Sequence, residues 1–214
     1  LQGAQRHWHK RQTAAAGATT RALTVALTRE AGCPGTSISR EIGAQLGWPV
    51  YDHELLERIA EEMGYRVELL ESLDERRQSW ILECLQGLSS AASPTEGKYV
   101  RHLSETLLSL GALGECVIVG RGAAQLLPPA TTLRVRLVGE LADRIASASE
   151  RLGISRAEAE KWVSKKDRER TDFIKAHFQK DPTDLRQYDL ILSTTRWSVA
   201  ACADLIVRAV RSVA

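Results

Sequence analysis

The sequence predicts an α/β fold, a parallel sheet flanked on both faces by helices. Three observations carry that prediction. Short runs rich in Val, Ile and Leu recur along the chain, as in strands covered on both sides. Between them lie stretches with apolar residues three and four apart, the period of an amphipathic helix. The first such strand also ends in a turn broken by glycine and proline, Arg29-Glu30-Ala31-Gly32-Cys33-Pro34-Gly35-Thr36-Ser37, after which a helical pattern starts.

Bulk properties agree. The 214 residues are 43% hydrophobic and 26% charged, an ordinary globular composition with enough apolar material for one domain and a small insertion. Twenty-nine basic and 27 acidic residues leave a net charge of +2, without the strong basic excess usual in a dedicated nucleic-acid binder. No run approaches the ~18–20 apolar residues of a membrane span. Arg outnumbers Lys by 22 to 7, read here as a GC-rich coding bias. Cys33, Cys84, Cys116 and Cys202 are widely spaced and form no zinc-binding pattern, so they are expected to be reduced thiols of a cytoplasmic protein.

Residues 1–21 contain no acidic side chain and no clear apolar period, and are expected to be a disordered basic tail; residues 22–214 form the domain. Ala22–Leu27 reads as the first buried strand. Ile38, Ile42 and Leu46 mark a helix closed by Gly47. Pro49–Tyr51 is a short second strand, with Asp52 placed to cap the helix that starts at His53. Residues 53–88 are helical. Ser89–Gly97 is a loop, and Tyr99–Leu113 is a further helix running into the strand Cys116–Val119. Leu133–Val138 alternates apolar and basic residues and is expected to be a strand near an edge. A helix over Glu140–Leu152 follows, then a helix opened by the capping box Ser155-Arg156-Ala157-Glu158, a strand Asp189–Leu192 and a helix Val199–Val210.

The first strand-to-helix turn of such a fold is where phosphates bind, because backbone N–H groups and the helix N-terminus point outward there. Gly32 and Gly35 permit the close approach, and Thr36 and Ser37 put hydroxyls at the helix start. An ordinary turn with no ligand explains the same residues, since the pattern G-x-x-x-x-G-K-[ST] is not met. His53, His102 and His177 have no partner at ligand spacing and are expected at the surface or at caps. Trp80, Trp162 and Trp197 are expected to pack.

Several segments together resemble the cytidylate kinase-like family. They are Thr28-Arg29-Glu30 with Gly32 and Gly35, then Leu46-Gly47, Tyr51-Asp52 and Glu54-Leu55, Val117-Ile118-Val119-Gly120-Arg121-Gly122-Ala123, Asp167-Arg168-Glu169-Arg170, and Tyr188–Thr194. The resemblance spans Leu23–Val210 and implies a three-layer P-loop NTPase fold. Residues 53–113 would be a helical acceptor-binding insertion and 155–187 a lid. It implies transfer of the ATP γ-phosphoryl, with Mg2+, to a nucleoside monophosphate, CMP or dCMP first.

In that reading Arg29, Gly32, Cys33, Gly35, Thr36 and Ser37 hold the donor, with Ser37 also toward magnesium. Asp52, Arg58 and Arg121 hold the acceptor, and Arg121, Arg168 and Arg170 act on the transferred group. Gly35 takes the place of the P-loop lysine, so another cation must neutralise charge; Arg29, Arg121, Lys166, Arg168 and Arg170 are the candidates. The chain departs from the pattern at Cys33-Pro34, where proline removes one amide, and at Gly122, where cytidylate kinases carry Asp. Two other readings follow: a degenerate nucleotide-binding regulatory protein without turnover, or a kinase of another small molecule. The partners are nucleotides, with neither nucleic acid nor membrane; monomer and dimer both stay open.

Overall fold

The computed structural model describes residues 2–14, 22–86 and 94–213. Five parallel strands, β1 (Thr24–Arg29), β2 (Val50–Tyr51), β3 (Cys116–Val119), β4 (Thr132–Val138) and β5 (Leu190–Ser193), form one sheet in the order β2-β3-β1-β4-β5. The period-two alternation of a strand divides its side chains between two cores. Val25, Leu27, Val117, Val119, Leu133, Val135 and Leu137 pack with helices α2 (Gly35–Leu46) and α10 (Val199–Val213). Ala26, Ile118, Cys116 and Tyr51 face the other side, under the helical segment that leaves β2.

That segment is α3 (His53–Glu61), α4 (Met63–Glu71), α5 (Glu75–Gln86) and α6 (Pro94–Leu113). Asp52 caps α3 by accepting from the Leu55 amide at 3.1 Å. The expected loop Ser89–Gly97 falls largely outside the described residues; α6 starts at Pro94. Beyond β3 come α7 (Ala123–Leu126), α8 (Leu141–Leu152) and α9 (Arg156–Phe178). Ser155 opens α9 with the expected capping box.

Two expectations are corrected. β4 is interior, hydrogen-bonded to β1 and to β5, and the sheet edges are β2 and β5. Its arginines alternate with apolar residues because one face meets acceptors rather than a helix. Arg134 forks onto Asp189, with Nη2 to Oδ1 at 2.7 Å, and Arg136 donates to the Pro182 carbonyl at 2.8 Å.

The second correction concerns the N-terminus. Gln2–Ala14 is a helix, α1, not a disordered tail; residues 15–21 lie outside the described set. Trp8 is fully buried, and Ala4, one turn earlier, packs beside it in the core above Tyr51. The Trp8 indole N–H donates to the Tyr51 hydroxyl at 3.0 Å. That hydroxyl is 3.1 Å from His7 Nδ1, and His7 Nε2 is 3.0 Å from the Gly114 carbonyl. A carbonyl only accepts, so Nε2 carries the proton, Nδ1 accepts from Tyr51, and all three side chains are satisfied with a neutral imidazole. Arg11 completes the contact with a 2.7 Å ion pair to Glu115.

Burial pushes the His7 pKa down to about 4, aided by Arg11 and Lys10 and opposed by the Gly114 carbonyl and Glu115. A folded-state pKa below the unfolded value of about 6.5 means that the unfolded chain binds the extra proton between those limits. Stability is therefore fully present above pH 6.5 and falls as pH drops toward 4, by at most about 1.4 kcal/mol per unit from this group. Urea titrations at pH 7.5 and 4.5 of wild type and His7→Gln check this, and the variant is expected to lose this component of the slope.

Candidate functional site

The C-terminal ends of the parallel strands meet on one edge, and an open α/β sheet places its ligands in the crevice there. The turn after β1 forms one wall. Gly32 has φ +91°, and a Cβ on it would fall inside the Arg144 backbone carbonyl, so loop and α8 meet through glycine. Pro34 is the N-cap of α2 and no side chain caps that helix. Gly35 donates to the Cys33 carbonyl at 2.8 Å and Cys33 to Glu30 at 3.3 Å, leaving the Thr36 and Ser37 amides without an acceptor among the described residues. Both hydroxyl-bearing side chains are exposed. Cys33 is buried and accepts a hydrogen bond from the Thr194 hydroxyl; burial raises its thiol pKa, so it fills space and is no thiolate.

Helix α9 lies against this turn. Asp167 accepts from the Ala31 amide at 2.7 Å and from Arg144 Nη1 at 2.6 Å. Arg170, lowered in pKa by burial, donates to the Arg29 carbonyl at 3.1 Å. Between α9, α7 and the ends of β1, β3 and β4 is a cavity of about 580 Å³, lined among others by Arg29, Arg121, Arg136, Lys166 and Arg170. It is large enough for a mononucleotide-sized ligand and its wall is rich in cations.

Arg121 has φ 52° at the end of β3. Its guanidinium contacts Glu57 and His53 of α3 and lies 5.8 Å from the centre of the Phe173 ring. Its Nε is buried with no partner. Also at the cavity wall, the Gln125 amide donates to Tyr188 and its Oε1 is buried and unpartnered. Arg29 forms no hydrogen bond or ion pair through its guanidinium among the described residues. Burial first, then the charges of Arg170, Arg121 and Arg151, lower its pKa to about 10 against the pull of Asp52.

Arg29, Arg121, Arg170 and Lys166 therefore converge on one cavity, with Asp52 acting on Arg29 from the end of β2. Gly32, Cys33, Gly35, Thr36, Ser37 and Asp52 do not line this cavity, and two further expected residues lie away from it. Arg58 is exposed, pairs with Glu62 at 2.9 Å and stacks on Tyr65. Arg168 is exposed on α9 and is not among the residues lining the cavity. His53 is exposed, as expected, but its bridging of Arg121 and Glu57 was not read from the sequence. Sequence reasoning also missed Asp167, which ties α9 to the turn after β1, and Gln125 and Arg136. Trp162 is half-buried at the cavity wall, while Trp197 is exposed.

The residues present suit Mg2+ bound to a polyphosphate. Magnesium keeps waters and takes few protein ligands when phosphates supply the rest. A hydroxyl at Thr36 or Ser37 would suit as such a ligand, and no group of three His, Cys, Asp or Glu side chains able to hold a metal alone occurs among the described residues.

A sequence-family model described as the cytidylate kinase-like family matches residues 24–196. The chain belongs to that family. A cytidylate kinase from Methanopyrus kandleri is 30% identical over 171 residues, 78% of this chain and 83% of the relative. Among solved structures, an uncharacterised protein from Eubacterium ventriosum matches with a TM-score of 0.69 at 21% identity, over 89% of this chain and 99% of that one. A shikimate kinase from Bacteroides thetaiotaomicron matches at 0.50 and 15% identity, over 88% and 98%. These likenesses bear out the three-layer P-loop fold. Arg29 and Glu30 at the end of β1, Gly120-Arg121-Gly122 after β3, and Asp167 and Arg170 of α9 line this cavity. Among the described residues no helix is long and apolar enough to cross a membrane.

Proposed function

We propose that this protein transfers the γ-phosphoryl group of ATP to a nucleoside monophosphate, with CMP or dCMP as the first acceptor. The observation that supports it is the convergence of Arg29, Arg121 and Arg170, one of them unpaired, on a mononucleotide-sized cavity at the ends of β1 and β3, with the uncapped start of α2 a few residues on from Arg29. Phosphoryl transfer demands positioning and charge neutralisation more than covalent chemistry from the protein. The Thr36 and Ser37 amides and the α2 N-terminus would hold the donor phosphates, and Ser37 or Thr36 the magnesium, which supplies further neutralisation when bound. Arg121, fixed by Glu57 and Phe173 at the cavity wall, would neutralise charge on the acceptor side. Arg170 anchors α9 across the end of β1 and so excludes water.

One observation favours binding without turnover. The Ala31, Cys33 and Gly35 amides already have protein acceptors and Pro34 has no N–H, so the loop offers fewer free donors than a full phosphate cradle. Purified protein with Mg-ATP and CMP, dCMP, UMP, AMP and GMP separates the readings. The expected result is ADP with CDP or dCDP, lost by about 100-fold or more in Arg121→Ala. Calorimetric ATP binding with no diphosphate from any acceptor would leave the regulatory reading standing instead.

A further inference from the structure

We propose that Arg29 replaces the missing P-loop lysine, so that the cation reaches the donor phosphates from the last residue of β1 instead of the first turn of α2. The inference rests on reading the turn as a triphosphate site. Gly35 stands where that lysine would be. A Cβ built on Gly35 would lie 3.0 Å from Arg29 Cγ and 3.2 Å from Cδ. The arginine stem thus already runs over the Gly35 α-carbon. At the far end, a Cβ on Gly120 would lie 2.5 Å from Arg29 Nη1. Two glycines, one opening α2 and one closing β3, therefore leave a channel for one side chain, bare at its stem and bare at its head. A surface arginine needs no such channel.

The charge pattern points the same way. The guanidinium makes no hydrogen bond or ion pair among the described residues; it is largely buried near Arg121 and Arg170, with only Asp52 opposing their charge. Like charges gathered in a part-buried site oppose the folded state unless an anion relieves them. Glu30, the adjacent carboxylate, does not serve: it accepts from the Gly139 amide and pairs with Arg144 on the other side of the turn. A polyphosphate entering beside Thr36 and Ser37 would meet an unpaired planar fork with free donors, a good match to phosphate oxygens. The absence of lysine is then a consequence of geometry. A lysine at position 35 and an arginine at position 29 compete for one path.

A reciprocal swap tests this. Mg-ATP binding by titration calorimetry, turnover and thermal midpoint are measured for wild type, Arg29→Ala, Gly35→Lys, the double variant Arg29→Ala/Gly35→Lys, and Arg29→Lys. Arg29→Ala is expected to weaken Mg-ATP by about tenfold or more and turnover by about 100-fold, the scale of losing one strong donor to a phosphoryl group. Gly35→Lys alone is expected to impair binding too, because its stem and that of Arg29 collide. The double variant is expected to bind at least about tenfold more tightly than Arg29→Ala, with Arg29→Lys between wild type and Arg29→Ala. Arg29→Lys keeps most of the stem and serves as the folded control if Arg29→Ala melts early. Mg-ATP affinity unchanged in Arg29→Ala, or a double variant no better than Arg29→Ala, overturns the proposal while leaving the kinase reading intact. Wild type that binds no Mg-ATP overturns that reading itself.

Discussion

Trp8→Ala is expected to cost about 3–5 kcal/mol of folding stability, the range for deleting a large aromatic side chain from a core. The indole is fully buried and packs with Ala4 against the core that also holds Tyr51. Its N–H is one of two side-chain groups meeting the Tyr51 hydroxyl; without it, that buried hydroxyl loses a donor but keeps His7. The loss is therefore mostly cavity and transfer free energy, with about 1 kcal/mol from the hydrogen bond. Urea unfolding measures it, and a change below about 0.5 kcal/mol would mean that α1 is not part of the cooperative unit. A functional echo is expected as well. Tyr51 directly precedes Asp52, the cap of α3, and α3 carries His53 and Glu57 to Arg121. Loosening Tyr51 should raise KM for the acceptor more than for ATP.

How much of this was legible in the sequence depends on how local each signal is. All five strands lie within two residues of where apolar runs put them, because a doubly covered parallel strand is apolar whatever surrounds it. The Asp52 and Ser155 caps were legible for the same reason, each being satisfied within four residues. The α1 helix was not. Its docking rests on Ala4, Trp8 and a polar His7, and a histidine buried against Tyr51 has the same letter as one in water. β4 misled because an Arg-x-Arg alternation is also the pattern of a solvated face; only Asp189, Pro182 and Glu30, all distant in sequence, show that the arginines turn inward. The candidate site divides along the same line. Arg29, Arg121 and Arg170 were found because strand ends and the lid segment are identifiable locally. Arg58 and Arg168 were misplaced because helical phase alone does not say which face a neighbouring element covers. His53 and Asp167 take their roles from partners 68 and 136 residues away.

Gly122→Asp looks, from the family pattern, like a substitution that restores an acceptor-binding carboxylate. The structure predicts the opposite. Gly122 has φ +80°, and a Cβ there would penetrate the ring of Phe178, the last residue of α9. Aspartate tolerates a left-handed backbone better than most residues, yet the conformation still costs about 1 kcal/mol. Displacing the Phe178 ring adds about 1–3 kcal/mol of overpacking, since Phe178 also closes the foot of the lid helix beside Phe173. The expected outcome is a protein about 2–4 kcal/mol less stable, with turnover lower rather than higher, because Arg121 sits on the neighbouring peptide and against Phe173. A second substitution, Phe178→Ala, makes room and distinguishes the causes. If crowding dominates, Gly122→Asp should cost less in the Phe178→Ala background than in wild type, a coupling that a double-mutant cycle in urea reads directly. Equal costs in both backgrounds would assign the penalty to the backbone instead. A stable, more active Gly122→Asp protein would show that the lid helix can part from the β3 turn without loss, and that the glycine is not held in place by α9.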